Sequence, residues 1–328
     1  MTGFRYHALA LTTSVVTLAV GVVVGVGPLS EAQTSKQQDQ VAALQQRQAA
    51  LSQRLATTRA RAGDDRALAQ ALAGPLAADR LKGRTVVVVA APGADRPLVR
   101  RTVADLKTAG ATVTGTASLS DVYVDPGKAQ SPLEDLVLRL VPPGVTFTNG
   151  STAIERVGTV LARSTVTAAA TPPAATDQKA AEVIAGLHEL GALKLRGTPG
   201  RLAQFAVVVA GPPAHGSAAV TGARDALLGL VAALDKGSRG VVVVGSVDAA
   251  LPDRLIAQVR TSPITRNPST VDTGGSVGGD LALVLALAEQ AAGRAGDYGR
   301  GAGATALVPE TLVPDALTPN VAGAIGTG

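Results

Sequence analysis

Thr85 to Ala91 reads TVVVVAA, Ala206 to Ala210 reads AVVVA, and Gly240 to Gly245 reads GVVVVG. None of the three alternates apolar with polar residues. A strand with one wet face alternates, whereas a run that is apolar throughout belongs to a sheet covered on both faces, as parallel sheets are. Helical periodicity separates these runs, at Arg96 to Ala109, Asp177 to Leu190, Val220 to Leu234 and Gly279 to Ala292. Shorter strands are predicted at Thr112 to Ala117 and Ala304 to Val308. Strands alternating with helices define an α/β fold, here a doubly wound, mostly parallel α/β domain over residues 82–310. Thr167 to Thr176 (TAAATPPAAT) is a loop near its middle. The first two Val runs end alike, in AAPGAD (Ala90 to Asp95) and AGPPAHG (Ala210 to Gly216), which suggests two related halves.

Composition narrows the chemistry. Hydrophobic residues make up 46% of the 328 and aromatics only 2%, so the core must be built from Val, Leu and Ala. The net charge of +5 describes a mildly basic surface. Nucleic-acid binding would call for clustered cations interleaved with stacking aromatics, and the sequence has neither. No cysteine is present, so there is no disulfide, thiolate metal site or Cys nucleophile. The one methionine is Met1, and the histidines are His7, His188 and His215.

Ahead of the α/β region, Ala8 to Val26 (ALALTTSVVTLAVGVVVGV) carries no charge. A helix of that length would be about 28 Å long, close to the roughly 30 Å of hydrocarbon in a bilayer. Arg5 and His7 precede it and Glu31 is the first charge after it, so residues 1–7 are expected in the cytoplasm and the rest outside. The segment reads as a retained transmembrane helix. The alternative is a cleaved signal peptide with a Ser-x-Ala site at Ser30 to Ala32, although signal h-regions are usually shorter. Gly21 and Gly25 give the small-xxx-small spacing that lets two spans approach, and they are candidate partner contacts.

Gln33 to Ala73 is rich in good helix formers and reads as a coiled-coil stalk, punctuated by Gly74-Pro75. With position a at Val41, a reads Val41, Gln48, Leu55, Ala62 and Ala69 and d reads Leu44, Leu51, Thr58, Asp65 and Leu72, an apolar seam that weakens away from the span. Arg47, Arg54 and Arg61 fall at g, and Arg59 and Arg66 at e. Self-pairing would set arginine against arginine, so the three g arginines are candidate contacts for an acidic partner helix. The alternative is a solvated single helix, or one lying on its own domain. Residues 311–328 read as a flexible tail.

In a doubly wound sheet, ligands bind beyond the carboxyl ends of the strands. Those loops are Pro92 to Asp95, Gly211 to Gly216 and Gly245 to Asp248. No phosphate-binding fingerprint occurs in them, and the G-S-V-D around Ser246 lacks the nucleophile-elbow pattern. Gly274 to Gly279 (GGSVGG) precedes a helix and offers a weak anion cradle, better read as a loop. His188 and His215 are poor metal candidates. No catalytic residue, cofactor or metal ligand is assigned.

The opening GFRYHALAL (Gly3 to Leu11), the span ending GVVVG, the stalk and the strand KGRTVVV (Lys82 to Val88) together resemble the actinobacterial MctB family of copper transport proteins and its SteB-like relatives. STVDT (Ser269 to Thr273), LALVLAL (Leu281 to Leu287) and DYGRGAGA (Asp297 to Ala304) carry the resemblance through the C-terminal part. The resemblance implies a non-enzymatic role in copper export or tolerance, with a pore in the outer envelope. For the corynebacterial branch it implies an envelope and division role with a partner protein. Copper enters by that resemblance alone, because copper(I) favours thiolate, thioether and imidazole ligands and this chain is poor in them. A β-barrel pore would need alternating strands, which solid Val runs do not supply.

Overall fold

The computed structural model describes residues 31–124, 130–171, 173, 175–198, 200–211, 217–263 and 267–310. The span at residues 8–26, Gly21, Gly25, His215 and the tail lie outside the described residues. The chain divides into two compact units, residues 1–65 and 66–328. Helix α1 runs from Glu31 to Ala77, 47 residues. The expected stop at Gly74-Pro75 is not there; Pro75 is accommodated two residues before the helix ends. Its missing N–H removes one intrahelical bond, which matters little in a last turn.

Within the second unit the elements are β1 (Thr85–Ala90), α2 (Arg96–Thr108), β2 (Thr112–Leu119), α3 (Asp121–Val124), α4 (Gln130–Arg139), α5 (Ala153–Arg163), α6 (Gln178–Glu189), β3 (Leu193–Gly197), β4 (Phe205–Val209), α7 (Ser217–Gly237), β5 (Gly240–Val244), a 3₁₀ turn (Val247–Ala250), α8 (Leu255–Thr261), β6 (Ser269–Val271), α9 (Val277–Ala291) and β7 (Asp297–Tyr298). The seven strands form one sheet in the order β3-β2-β1-β4-β5-β6-β7. Every pairing is parallel except β2 with β3. The order reverses between β1 and β4. Those are the two strands whose similar endings suggested two halves, and each half winds outward from one of them.

The Val runs lie where an unbroken apolar pattern must lie. Val86, Val88, Phe205, Val207, Val242 and Val244 face α2 and α9, packing with Leu98, Leu106, Leu283 and Leu287. Their neighbours Val87, Val89, Ala206, Val208, Val241 and Val243 face the layer built from α3 to α8. Strand side chains alternate between faces, so a run buried at every position needs a helical layer on both sides.

Several elements differ from expectation. Ala304 to Val308 is not a strand: β7 lies earlier, at Asp297–Tyr298, and Ala306 makes only an isolated bridge to Tyr298. The glycines of this stretch favour turns over an extended ladder. Strand β3, sequence LKLRG, is an antiparallel edge with polar residues on its open side. Helices α4 and α5 fill a stretch with no predicted element. Helix α5 starts at a capping box in which the Thr152 hydroxyl accepts from the Glu155 N–H and the Glu155 carboxylate accepts from the Thr152 N–H.

Candidate functional site

The carboxyl rim of the sheet is where a ligand is expected; of its three loops, residues 212–216 lie outside the described residues, and the other two are held by backbone hydrogen bonds. The strand ladder continues past the strand ends: Ala91 N–H donates to Val209 O (2.9 Å), Ala210 N–H to Val244 O (2.8 Å) and Gly245 N–H to Val271 O (2.9 Å). At the β1/β4 switch point the two loops touch through backbone, and a Cβ on Gly211 would overlap Pro92 O. Two of the helix N-termini at this rim are occupied by side chains of the same chain. The Asp95 carboxylate accepts from Leu98 N–H at the start of α2. The Ser276 hydroxyl accepts from Gly279 N–H, and the Asp280 carboxylate accepts from Gly275 N–H at 3.0 Å, at the start of α9. The GGSVGG turn is therefore not an empty anion cradle, because a carboxylate of the same chain fills it.

Beside that turn lies a charged cluster on the α2/α9 seam. Arg101 donates to Gly275 O (2.6 Å) and lies 3.5 Å from Asp280. One Asp105 carboxylate oxygen is buried without a hydrogen-bond partner. Burial, and next the Asp280 charge, push the Asp105 carboxyl up to about 6, while Arg101 pulls the other way. Burial raises Asp280 as well.

The motif stretches STVDT and DYGRGAGA meet in a second, fully buried knot. Arg260 (2% exposed) pairs with Asp272 (0%) at 3.0 Å. Arg260 also donates to Thr270 Oγ1 (2.8 Å), Ala302 O (2.8 Å) and Tyr298 O (3.1 Å). Asp272 accepts from the N–H groups of Arg300 (2.7 Å) and Gly301 (2.9 Å). Gly299, at φ +132°, presses its backbone on that carboxylate, where any Cβ would collide. Each charge is satisfied by hydrogen bonds, so the arrangement fastens the C-terminal loop to β6 and leaves no group free for chemistry. Tyr298 donates to the Glu289 carboxylate close by, and burial raises its phenol. Tyr123 is also buried, with its phenol raised by the same cause.

The remaining sequence-predicted residues are dispersed. Arg47, Arg54 and Arg61 are exposed along α1, as are Leu44 (62%), Leu51 (64%) and Leu55 (49%). His188 is exposed at the end of α6, its Nδ1 3.0 Å from Leu193 O. Among the described residues no group of three His, Cys, Asp or Glu side chains could hold a metal ion. No described helix is long and apolar enough to cross a membrane. At the opposite, amino rim of the sheet, between strand starts and helix ends, a cleft of about 1040 Å³ opens. Sequence reasoning missed the seam cluster. Its signal was present: Leu98, Thr102, Asp105 and Ala109 share one helical stripe, which sets a carboxylate among residues that face the core.

A doubly wound, mostly parallel α/β domain preceded by a long helix is thus the class to which the fold assigns this chain. The chain belongs to the MctB family: the family described as "Copper transport outer membrane protein, MctB" matches residues 1–309. The protein named "Copper transporter MctB" from Mycobacterium leprae (strain TN) is 31% identical over 326 residues, covering 94% of this chain and 100% of that protein. Those so named from Mycobacterium bovis and Mycobacterium tuberculosis (strain H37Rv) are each 26% identical over 318 residues, covering 93% and 98%. The resemblance read from the opening residues and the C-terminal motifs is confirmed.

Proposed function

We propose that this chain is a non-enzymatic envelope protein of copper transport and homeostasis. It would be held by a single span at residues 8–26, with residues 1–7 in the cytoplasm and the α/β domain outside. The observation that carries the reading is the family match over residues 1–309, together with relatives named copper transporters over nearly their whole length. The uncharged span and its Arg5/His7 flank support the topology. The Arg260–Asp272 pair, fully committed to structural hydrogen bonds, supports a role without catalysis. With His188 the one described imidazole, direct copper ligation by this chain alone has little to build on. Copper then moves through an assembly to which this chain contributes structure. The test is a strain lacking the gene, with and without a restored full-length copy, scored for growth inhibition by copper and for cell copper content. Unchanged inhibition and copper content in the deletion would refute a copper role.

A second reading, an envelope scaffold working through its helix, is favoured by α1. Leu44, Leu51 and Leu55 expose an apolar seam at a and d positions, flanked by Arg47, Arg54 and Arg61 at g. That pattern suits an acidic partner helix and penalises self-pairing. Gly21 and Gly25 would add a contact within the membrane. Each exposed ion pair is worth about 0.2–1 kcal/mol, so several along one seam choose the partner. Crosslinking in native membranes should capture an acidic partner, weakening as salt rises. Replacing all three arginines by glutamate should abolish capture. A stable homodimer of the unaltered helix at low salt would refute the charge argument.

A further inference from the structure

We propose that the cleft at the amino rim of the sheet binds a phosphorylated sugar or polyol, a function separate from the copper and scaffold readings. Four cations line it: Arg163 at the end of α5, Lys236 at the end of α7, Arg239 before β5, and Arg294 after α9. Two carboxylates line it too, and both are engaged. Glu155 accepts from Thr152 N–H (2.7 Å), and Asp235 accepts from Asn267 N–H (3.4 Å). Arg294 has one long contact, 3.8 Å to Glu289. Among the described residues the side chains of Arg163, Lys236 and Arg239 make no hydrogen bond or ion pair.

Helix dipoles account for part of this pattern. A cation in a last helical turn is favoured there, which covers Arg163 and Lys236. Arg239 lies on no helix, just before β5, and is half-buried. The cleft therefore keeps more positive charge than its helix ends need. The loop Thr146 to Ser151 lines the same cleft, and the exposed side chains of Thr146, Thr148 and Asn149 make no hydrogen bond among the described residues. Phe147 is half-buried between them, packed on the core and also lining the cleft. The cations suit a phosphate, through charge-assisted and bidentate contacts. The hydroxyls, amide and aromatic face of the 146–151 loop suit the hydroxyls and the apolar face of a sugar ring. The volume is ample for such a ligand, since small-molecule pockets run from about 300 to 1,000 Å³. The source of the phosphate is either a soluble sugar phosphate or the headgroup of a glycerophospholipid.

The experiment is isothermal titration of the full chain in non-ionic detergent with glucose 1-phosphate, short-chain phosphatidylinositol, inorganic phosphate and glucose. The first or second probe should bind at least tenfold more tightly than phosphate or glucose, and the tighter of the two assigns the source. The Arg163→Gln, Arg239→Gln double variant should lose at least tenfold. The Lys194→Gln, Arg196→Gln variant, with the same charge change on edge strand β3, should stay within about twofold of the parent. If the glutamine variant melts early, the Arg163→Lys, Arg239→Lys variant serves instead; it should retain binding that weakens with added salt. The site is refuted if no probe binds, if inorganic phosphate matches both phosphorylated probes, or if the β3 control loses as much as the cleft variant.

Discussion

Replacing Asp105 by asparagine should stabilise this protein at neutral pH, an unusual direction for a substitution on a core-facing stripe. One Asp105 oxygen is buried without a partner, and Asp280 repels the charge across the α2/α9 seam. The carboxyl rises from 3.8 to about 6. A folded-state pKa above the unfolded one means that the folded protein holds the proton more tightly. The stabilisation is complete below about pH 4 and is lost as pH rises through about 6. A shift of that size corresponds to about 3 kcal/mol if taken in full, at 1.36 kcal/mol per unit. Part of the side chain reaches solvent and Arg101 is nearby, so screening reduces this to about 1–2 kcal/mol. Asparagine keeps the shape, removes the charge and can donate to Asp280. At pH 7.5 the variant should melt about 2–8 °C above the parent, at roughly 2–4 °C per kcal/mol for a domain of this size. At pH 4 the two should melt together. The readout is the difference between variant and parent at the two pH values, by circular dichroism of the full chain, because other titrating groups cancel in it. Asp280 is also raised, so the two carboxylates take up protons as a pair and the transition is broad. A variant less stable than the parent at pH 7.5, or a difference independent of pH, would refute the reasoning.

The buried knot gives the opposite sign. Asp272→Asn strips the charge from a pair exposed by 2% and 0%, and should lower unfolding stability by about 3–5 kcal/mol, read as a lower urea midpoint. It should also free the 297–304 loop, so backbone amides of Arg300 and Gly301 should exchange hydrogen faster. Equilibrium competition with a copper(I) chelator should show no stoichiometric uptake by the full chain, and His188→Ala should change nothing. Submicromolar binding lost in a His188→Ala, His215→Ala double variant would overturn that expectation.

The sheet was legible because its strands carry their environment in their composition. Val86 to Val89, Val207 to Val209 and Val241 to Val244 are buried at every position, and only a sheet covered on both faces does that. The four helices expected between them start and stop within a few residues of prediction, because Asp95, Asp177 and Ser276 cap three of them as sequence rules expect. What escaped was set by tertiary context. Strand β3 is five residues with Lys194 and Arg196 on an open edge, so nothing in its pattern announces pairing with β2. Strand β6 is three residues long, and β7 only two; such lengths carry no periodicity. The partnership of Asp272 with Arg260 joins two residues whose side chains look ordinary in isolation. Asp105 was visible only to a reader who asked why a carboxylate shared a stripe with Leu98 and Thr102.

The glycines and charges that mark the family motifs serve one purpose that the fold makes plain. DYGRGAGA must pass over a buried carboxylate, Asp272, with its backbone as the donor. Gly299 and Gly301 let it approach, while the neighbouring N–H groups of Arg300 and Gly301 saturate the charge that Arg260 balances. Recognisable sequence in this chain therefore reports how the sheet is closed, and the candidates for contact with other molecules lie elsewhere, on α1 and in the amino-rim cleft. At the β1/β4 switch point, where doubly wound folds hold ligands, the described backbone of Pro92 and Gly211 is in close contact, and the Asp280 carboxylate occupies the nearby GGSVGG turn.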